Sequence, residues 1–509
     1  MKIGKTLSFV SISRLCVLLV TAISCNHADG IKDPFAGFDP FDQELGKRIE
    51  AYQNTIVHNT AKSGNPAIYI DFSSGINKAF NVPTIKSMMT DCFNTVLAEQ
   101  FEVYKLGANK ITALNVTNTT ELGQQVSDPK QYADIWAPIQ SAVDKIIEGN
   151  NDALLITDFE EWQNNTEVIN TAFLKIPFSK WLSKGNSIHF FIADYKEGTV
   201  SKHLYFTVFS YGNPTASSMI SKLAAKLSTS TTRFDLSDQS YQLRTDYPSE
   251  KSGGIFYDEK GTSDKAKNIL DLKDSYINGL KKGNHFEFYP LGLDWENIDQ
   301  LHTTYQSQGQ FNDFFRKLFI DLSNQDSYIY GDFDVKVSDV TTDFENFVKS
   351  EEAKLHKPKL TKGSNGETKL AENETDPIAS TCYHANGKLK EEWIYKPQAA
   401  NPLNEIFTLN KELFKNTRAT SPKNVELGVA FDPKFSLKNI QNPDALIRVD
   451  IVITTATPNL SETKLSKFQW VNAKQQANIA LSESIKNTLQ ELKPNHKIVY
   501  SYYIKTKVN

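Results

Sequence analysis

The chain has 509 residues, 56 Lys and Arg against 60 Asp and Glu, and a formal net charge of −4. A weakly acidic chain of mixed charge lacks the clustered basic face that counterion release demands, which excludes a dedicated nucleic-acid binder. Hydrophobic content of 39% with 31 Phe and 20 Tyr excludes global disorder, and four Cys in this length exclude a disulfide scaffold.

Lys2, Lys5 and Arg14 form a positive n-region, and residues 15–23 (LCVLLVTAI) form an apolar h-region. A bilayer-spanning helix needs about 20 apolar residues, so residues 1–24 read as a secretory signal. Ala22-Ile23-Ser24-Cys25 resembles a bacterial lipobox. That resemblance implies cleavage before Cys25 and lipidation of Cys25, an anchor of two or three acyl chains that holds stably to a membrane. Asn26, rather than Asp, follows the anchor, which implies an outer-membrane address in the cell envelope. The abundance of Asn and Lys fits an AT-rich, Bacteroidetes-type genome. Residues 25–60 open with a polar, Gly/Pro-containing run and read as a tether.

Residues 61–230 alternate strand and helix patterns. Residues 66–72 (PAIYIDF) are a continuous apolar run around Asp71, the pattern of a strand buried on both faces. Helical spacing follows in Met88, Met89, Cys92, Phe93, Val96 and Leu97. Residues 101–106 and 111–116 read as a hairpin joined at 107–110. Tyr132, Ile135, Trp136, Ile139, Ala142, Val143, Ile146 and Ile147 recur at threes and fours, with Pro138 predicting a kink or a late start. A second buried strand, 153–158 (ALLITD), ends in Asp158. A helix at 168–182, a strand at 188–195, a turn at Lys196-Glu197-Gly198, a returning strand at 203–209 and a helix at 219–227 complete the unit. Such alternation predicts an α/β domain, a mainly parallel sheet with helices on both faces and its sites at the C-terminal strand ends.

Asp71-Phe72-Ser73-Ser74-Gly75 after the first strand, with Thr157-Asp158 after the fourth, resembles a von Willebrand factor A domain. The resemblance implies a divalent-metal site held by Asp71, Ser73 and Asp158. Mg²⁺ is the expected ion, since carboxylates and hydroxyls are hard oxygen ligands. It also implies an acidic group of a protein or glycan ligand completing the coordination. Gly75 stands where the family carries a second serine. The loop threonine of the family is not identifiable among Thr119, Thr120 and Ser127, and the turn after Tyr195 departs from the family's helical crossover. Without the resemblance, Ser73-Ser74-Gly75 reads as a capped helix start and Asp158 as a solvated strand end.

No catalytic residue is assigned. A glycosidase would need two tuned carboxylates among Asp158, Glu160 and Glu161, and a Ser73 or Ser74 nucleophile would need a positioned histidine. His189 and His203 lie on predicted strands and read as core or surface residues. A Cys92–Cys382 bridge is open in an oxidising compartment.

Residues 231–283 read as a polar insertion with a weak helix at 266–280, and 284–355 as an α+β segment. In that segment Phe311, Phe314, Phe315, Leu318, Phe319 and Leu322 predict a helix, and 328–340 a half-exposed strand. Residues 356–378 read as a linker. Residues 379–509 read as an α+β or β-sandwich-like module, with strands at 426–431, 445–455 and 497–507 and a helix marked by Leu481, Ile485, Leu489 and Leu492. The expectation for the whole is a non-enzymatic, lipid-anchored envelope binding protein without nucleic-acid partners. An envelope hydrolase using the same cleft, or a metal-free assembly component, are the alternatives.

Overall fold

The computed structural model describes residues 43–56, 65–96, 101–212, 218–243, 286–293, 313–315, 318–363, 366–371, 376–472 and 474–508. Cys25 and the predicted helix at 266–280 lie outside the described residues, as does the signal segment. No helix among the described residues is long and apolar enough to cross a membrane.

The described residues open with helix α1 (Gln43–Ile56) and go on to a seven-stranded mixed sheet. Its strands are β1 (Ala67–Asp71), β2 (Glu102–Gly107), β3 (Lys110–Leu114), β4 (Ala153–Thr157), β5 (Ser187–Glu197), β6 (Val200–Ser210) and β7 (Thr232–Leu236). They are ordered β3-β2-β1-β4-β6-β5-β7. All five residues of β1 and of β4 are buried, as a strand covered on both faces requires. One face packs Ile68, Ile70, Leu154 and Ile156 against Met88, Met89, Cys92 and Phe93. These come from α3 (Pro83–Val96), which follows the short α2 (Ser74–Phe80). α4 (Thr119–Ser127) adds Leu122 and Val126 to the same face. The other face packs Tyr69 and Leu155 against α5 (Ile139–Glu148) and α6 (Lys175–Leu182). α7 (Met219–Leu227) returns to the first face. Each large apolar side chain buried in this way contributes about 1.5–3 kcal/mol.

α5 begins directly after Pro138, the late start the sequence allows. α6 begins at Lys175 rather than 168. Pro177 fits a first helical turn, where its missing N–H costs nothing, and an earlier start would put it in the interior.

The expected mainly parallel sheet is corrected to a mixed one. Only the β1–β2 and β1–β4 pairings are parallel, and the other four are antiparallel. Connection length is the reason. Two residues link β2 to β3 and two link β5 to β6, with Gly198 at φ +64° in the second turn, and links this short permit only antiparallel neighbours. The return strand β6 therefore inserts between β4 and β5. β7, the start of the expected polar insertion, pairs with β5 as the edge strand.

The second half builds a five-stranded sheet in the order β8 (Phe286–Leu293), β11 (Ile498–Val508), β10 (Leu446–Pro458), β9 (Tyr328–Asp339), then Asn401–Pro402. Within the stretch expected to be a tether, α1 buries Leu45, Ile49 and Tyr52 on this sheet, against Phe344 and Phe347 of α8 (Thr341–Leu355). On the opposite face, α9 (Ala480–Leu492) packs on α6, and one apolar core runs from the first sheet into the second. The helix expected across Phe311–Leu322 is also corrected: Asp313–Phe315 and Phe319–Asp321 are strands paired antiparallel with Val429–Phe431 and Asn424–Glu426. Aromatic residues fit a strand as readily as a helix, and the partner strands decide between the two. Cys92 and Cys382 are free and buried in separate apolar clusters, so the bridge left open by the sequence is not formed.

Candidate metal site at the C-terminal edge of the sheet

β1 and β4 are adjacent and parallel, with Ile70 opposite Ile156, so their C-terminal ends bring Asp71, Thr157 and Asp158 to one edge. All three are buried. Asp71 Oδ1 accepts the Ser73 amide at 2.7 Å, and Asp71 Oδ2 accepts the Thr157 hydroxyl at 2.8 Å. The Thr157 hydroxyl accepts in turn from the Phe159 amide at 3.1 Å. Asp158 Oδ1 accepts the Glu160 amide at 3.0 Å. Phe159, buried between these acids, has φ +60°. A left-handed φ at a bulky residue costs about 1–3 kcal/mol, and such strain gathers at functional sites.

Ser73 precedes α2, yet its side chain makes no capping hydrogen bond to that helix. The capped-start reading of Ser73 is therefore not what the structure contains. The following turn is held instead by the Ser74 amide donating to the Asp134 carbonyl at 2.7 Å, with Ser73 in a parallel bridge to Asp134. The loop that meets Ser73 thus offers Asp134, and none of Thr119, Thr120 or Ser127 is the residue at that contact. Asp134 lies so close to the end of β2 that a Cβ on Gly107 would sit 2.6 Å from its Oδ2 and displace that carboxylate. Gly75 is different. It lies in α2 without a positive φ, and a Cβ there would stand 3.8 Å from Asp158 Oδ2, in ordinary contact.

The electrostatics are those of carboxylates short of a cation. Burial, only partly offset by the Ser73 and Thr157 hydrogen bonds, pushes Asp71 up to about 6. Burial, then Glu160 and Asp71, raise Asp158 well above the carboxylate range. Glu161 is pushed to about 7 by burial, although Glu161 Oε2 accepts the Gln140 amide at 2.9 Å at the start of α5. The cation that acts on Asp158 and Glu160 is Lys202, whose Nζ binds Glu160 at 2.8 Å and Glu197 at 3.0 Å. Opposite Lys202 in register is Tyr195. Its hydroxyl is buried and has no hydrogen-bond partner, while Asp158, Glu160, Glu197 and Asp71 all act on it electrostatically.

The residue types at this edge are those a hard divalent cation takes. Asp71, Ser73 and Asp158 supply two carboxylates and a hydroxyl, and the orphaned Tyr195 hydroxyl is the kind of buried group an ion's water would satisfy. Among the described residues no group of three or more His, Cys, Asp and Glu is arranged around a metal, so any such site depends on hydroxyls and water. Of the three residues singled out from the sequence, Asp71 ends β1, Asp158 directly follows the adjacent β4, and Ser73 follows Asp71 by two residues. The bond from Thr157 to Asp71, and the presence of Tyr195 and Lys202 beside these acids, were not read from the sequence. The two-residue turn of the β5–β6 hairpin, which pins Tyr195 against Lys202, was the legible signal for the last two. No known protein family, curated protein or solved structure matches the chain.

Proposed function

We propose that the chain is a lipid-anchored envelope protein whose first unit, of von Willebrand A-like type, recognises a protein or glycan ligand through a weak Mg²⁺ site at Asp71, Ser73 and Asp158. The observation that carries this reading is the pair of buried carboxylates on adjacent parallel strand ends, raised by burial and left without a fixed cation between them. A divalent ion would neutralise them, orient the edge and leave a coordination position for an acidic group of the partner. Gly75 removes one hydroxyl relative to the family pattern, which weakens the site without abolishing its oxygen set.

Thermal melts with Mg²⁺ or Mn²⁺ on wild type and Asp71→Ala test the metal. Indifference of both to tens of millimolar ion overturns it. Fractionation tests the anchor: Cys25→Ala should turn a membrane-pelleting protein into a soluble or uncleaved one, and unchanged detergent partitioning refutes lipidation. A pull-down from native outer membrane, with and without chelator, tests for a metal-dependent partner.

A further inference from the structure

At the opposite edge of the same sheet, Ser187 and His189 lie two residues apart on β5 and so share a face. Asp235 of β7 is the direct register partner of His189. Ser187 Oγ is 2.9 Å from His189 Nε2, and His189 Nδ1 is 2.8 Å from Asp235 Oδ1. The three residues are 8%, 6% and 6% exposed. Asp235 is fixed by Arg233 Nε at 2.8 Å on Oδ1 and by Asn324 Nδ2 at 2.7 Å on Oδ2. Burial alone would raise its carboxyl, but His189 and Arg233 prevail and hold it at about 2.

An ionised carboxylate only accepts hydrogen bonds, so the imidazole proton facing it is on Nδ1. In the neutral ring Nε2 is then the acceptor, and the Ser187 hydroxyl is its donor. This is the order and polarity that a serine nucleophile, a general base and an orienting carboxylate require. A second observation points to a ligand at the same place. Ser210 stands directly opposite Ser187 on β6, hence on the same face, and its hydroxyl is buried without a partner. The side-chain amide nitrogen of Asn186, the residue before Ser187, is also buried and unpartnered. An unpartnered donor directly across from the Ser187 hydroxyl is what a developing oxyanion needs.

We propose that Ser187 is a nucleophile activated by His189, with Asp235 as the positioning residue, and that the chain hydrolyses small acyl esters at this second site. Ser187 Oγ bonds to the acyl carbon while its proton passes to His189 Nε2. The carbon–alkoxide bond then breaks and the alcohol leaves with that proton. Water attacks the acyl-serine, gives its proton to Nε2, and releases the carboxylic acid as the Ser187 hydroxyl is restored. The neighbours on this face, Phe191 and Val208, are fully buried, and the narrow exposure of Ser187 restricts the acyl group to a compact one.

The full chain is incubated with a small fluorophosphonate and mapped by peptide mass spectrometry, and separately with p-nitrophenyl acetate. One label on Ser187 is expected. It should be lost in Ser187→Ala and slowed about 100-fold in His189→Gln, and ester hydrolysis should vanish in Ser187→Ala. A folded wild type unlabelled at Ser187, under conditions that fully label a reference serine esterase, overturns the proposal and leaves the three residues as a lock on the edge strand. Equal ester hydrolysis by wild type and Ser187→Ala overturns it too. Should His189→Gln fail to fold, Ser187→Ala, which loses a single oxygen, still decides. None of these outcomes depends on Mg²⁺ at the other edge.

Discussion

Asp71 and Asp235 lie on the same sheet, are both buried, and sit in opposite electrostatic states. Asp235 has His189, Arg233 and Asn324 around it and is held at about 2. Asp71 has two hydroxyls and an amide, no cation, and is pushed to about 6. Burial acts on both in the same direction, so the fixed positive groups make the difference. One edge of the sheet is electrostatically complete, and the other is built as though part of it arrives from outside.

The sharpest way to break this contrast is to remove the charge at each edge in turn. Asp235→Ala should destabilise by about 1–3 kcal/mol, because it leaves the buried His189 donor and the Asn324 amide without their acceptor. Asp71→Asn, which removes a charge that repels Asp158 and Glu160, should be neutral or slightly stabilising without metal. Urea unfolding of both variants checks the pair, and equal losses would erase the distinction.

A smaller effect is expected from pH. The folded-state value of Glu161, about 7, lies above its ordinary 4.5, so the native state holds the proton more tightly than the unfolded chain. Its contribution is then fully present below about pH 4.5 and lost as pH rises to about 7. At roughly 1.4 kcal/mol per unit this is on the order of 3 kcal/mol. Glu161→Gln keeps an acceptor for the Gln140 amide and should flatten that fall. Melts from pH 4.5 to 8 measure it, and identical slopes in variant and wild type would refute it.

The smallest effect is the ion itself. With a Kd near millimolar, ordinary Mg²⁺ stabilises by less than about 1 kcal/mol, since stabilisation grows as RT ln(1 + [L]/Kd). Gly75→Ser should enlarge that increment, because its backbone is ordinary for any residue and its side chain would point toward Asp158 Oδ2. Tyr195→Phe should shrink it by removing the unpartnered hydroxyl beside the carboxylates. Calorimetric titration ranks the three proteins, and an unchanged order of affinity would remove Tyr195 from the site.

Local pattern in the sequence determined a good part of this molecule. Two short apolar runs with acids at their ends became adjacent strands, Pro138 marked where α5 starts, and residues 219–227 became α7 as read. Hairpin turns were legible as well, since Asn109 and Gly198 tolerate the positive φ that a two-residue link requires. Tertiary structure decided what pattern cannot encode. The stripe around Phe315 and Phe319 satisfied a helical period, yet strands more than a hundred residues away made it β. The antiparallel insertion of β6 beside β4, and with it the approach of Lys202 and Tyr195 to Asp158, depends on the order of strands in the sheet. His189 read as an ordinary strand histidine because its partner, Asp235, is 46 residues away in a stretch that looked like a polar insertion. Periodicity records which face of an element is buried; the identity of the neighbour across the gap is set by non-local pairing, where loop closure, register and buried charge act together.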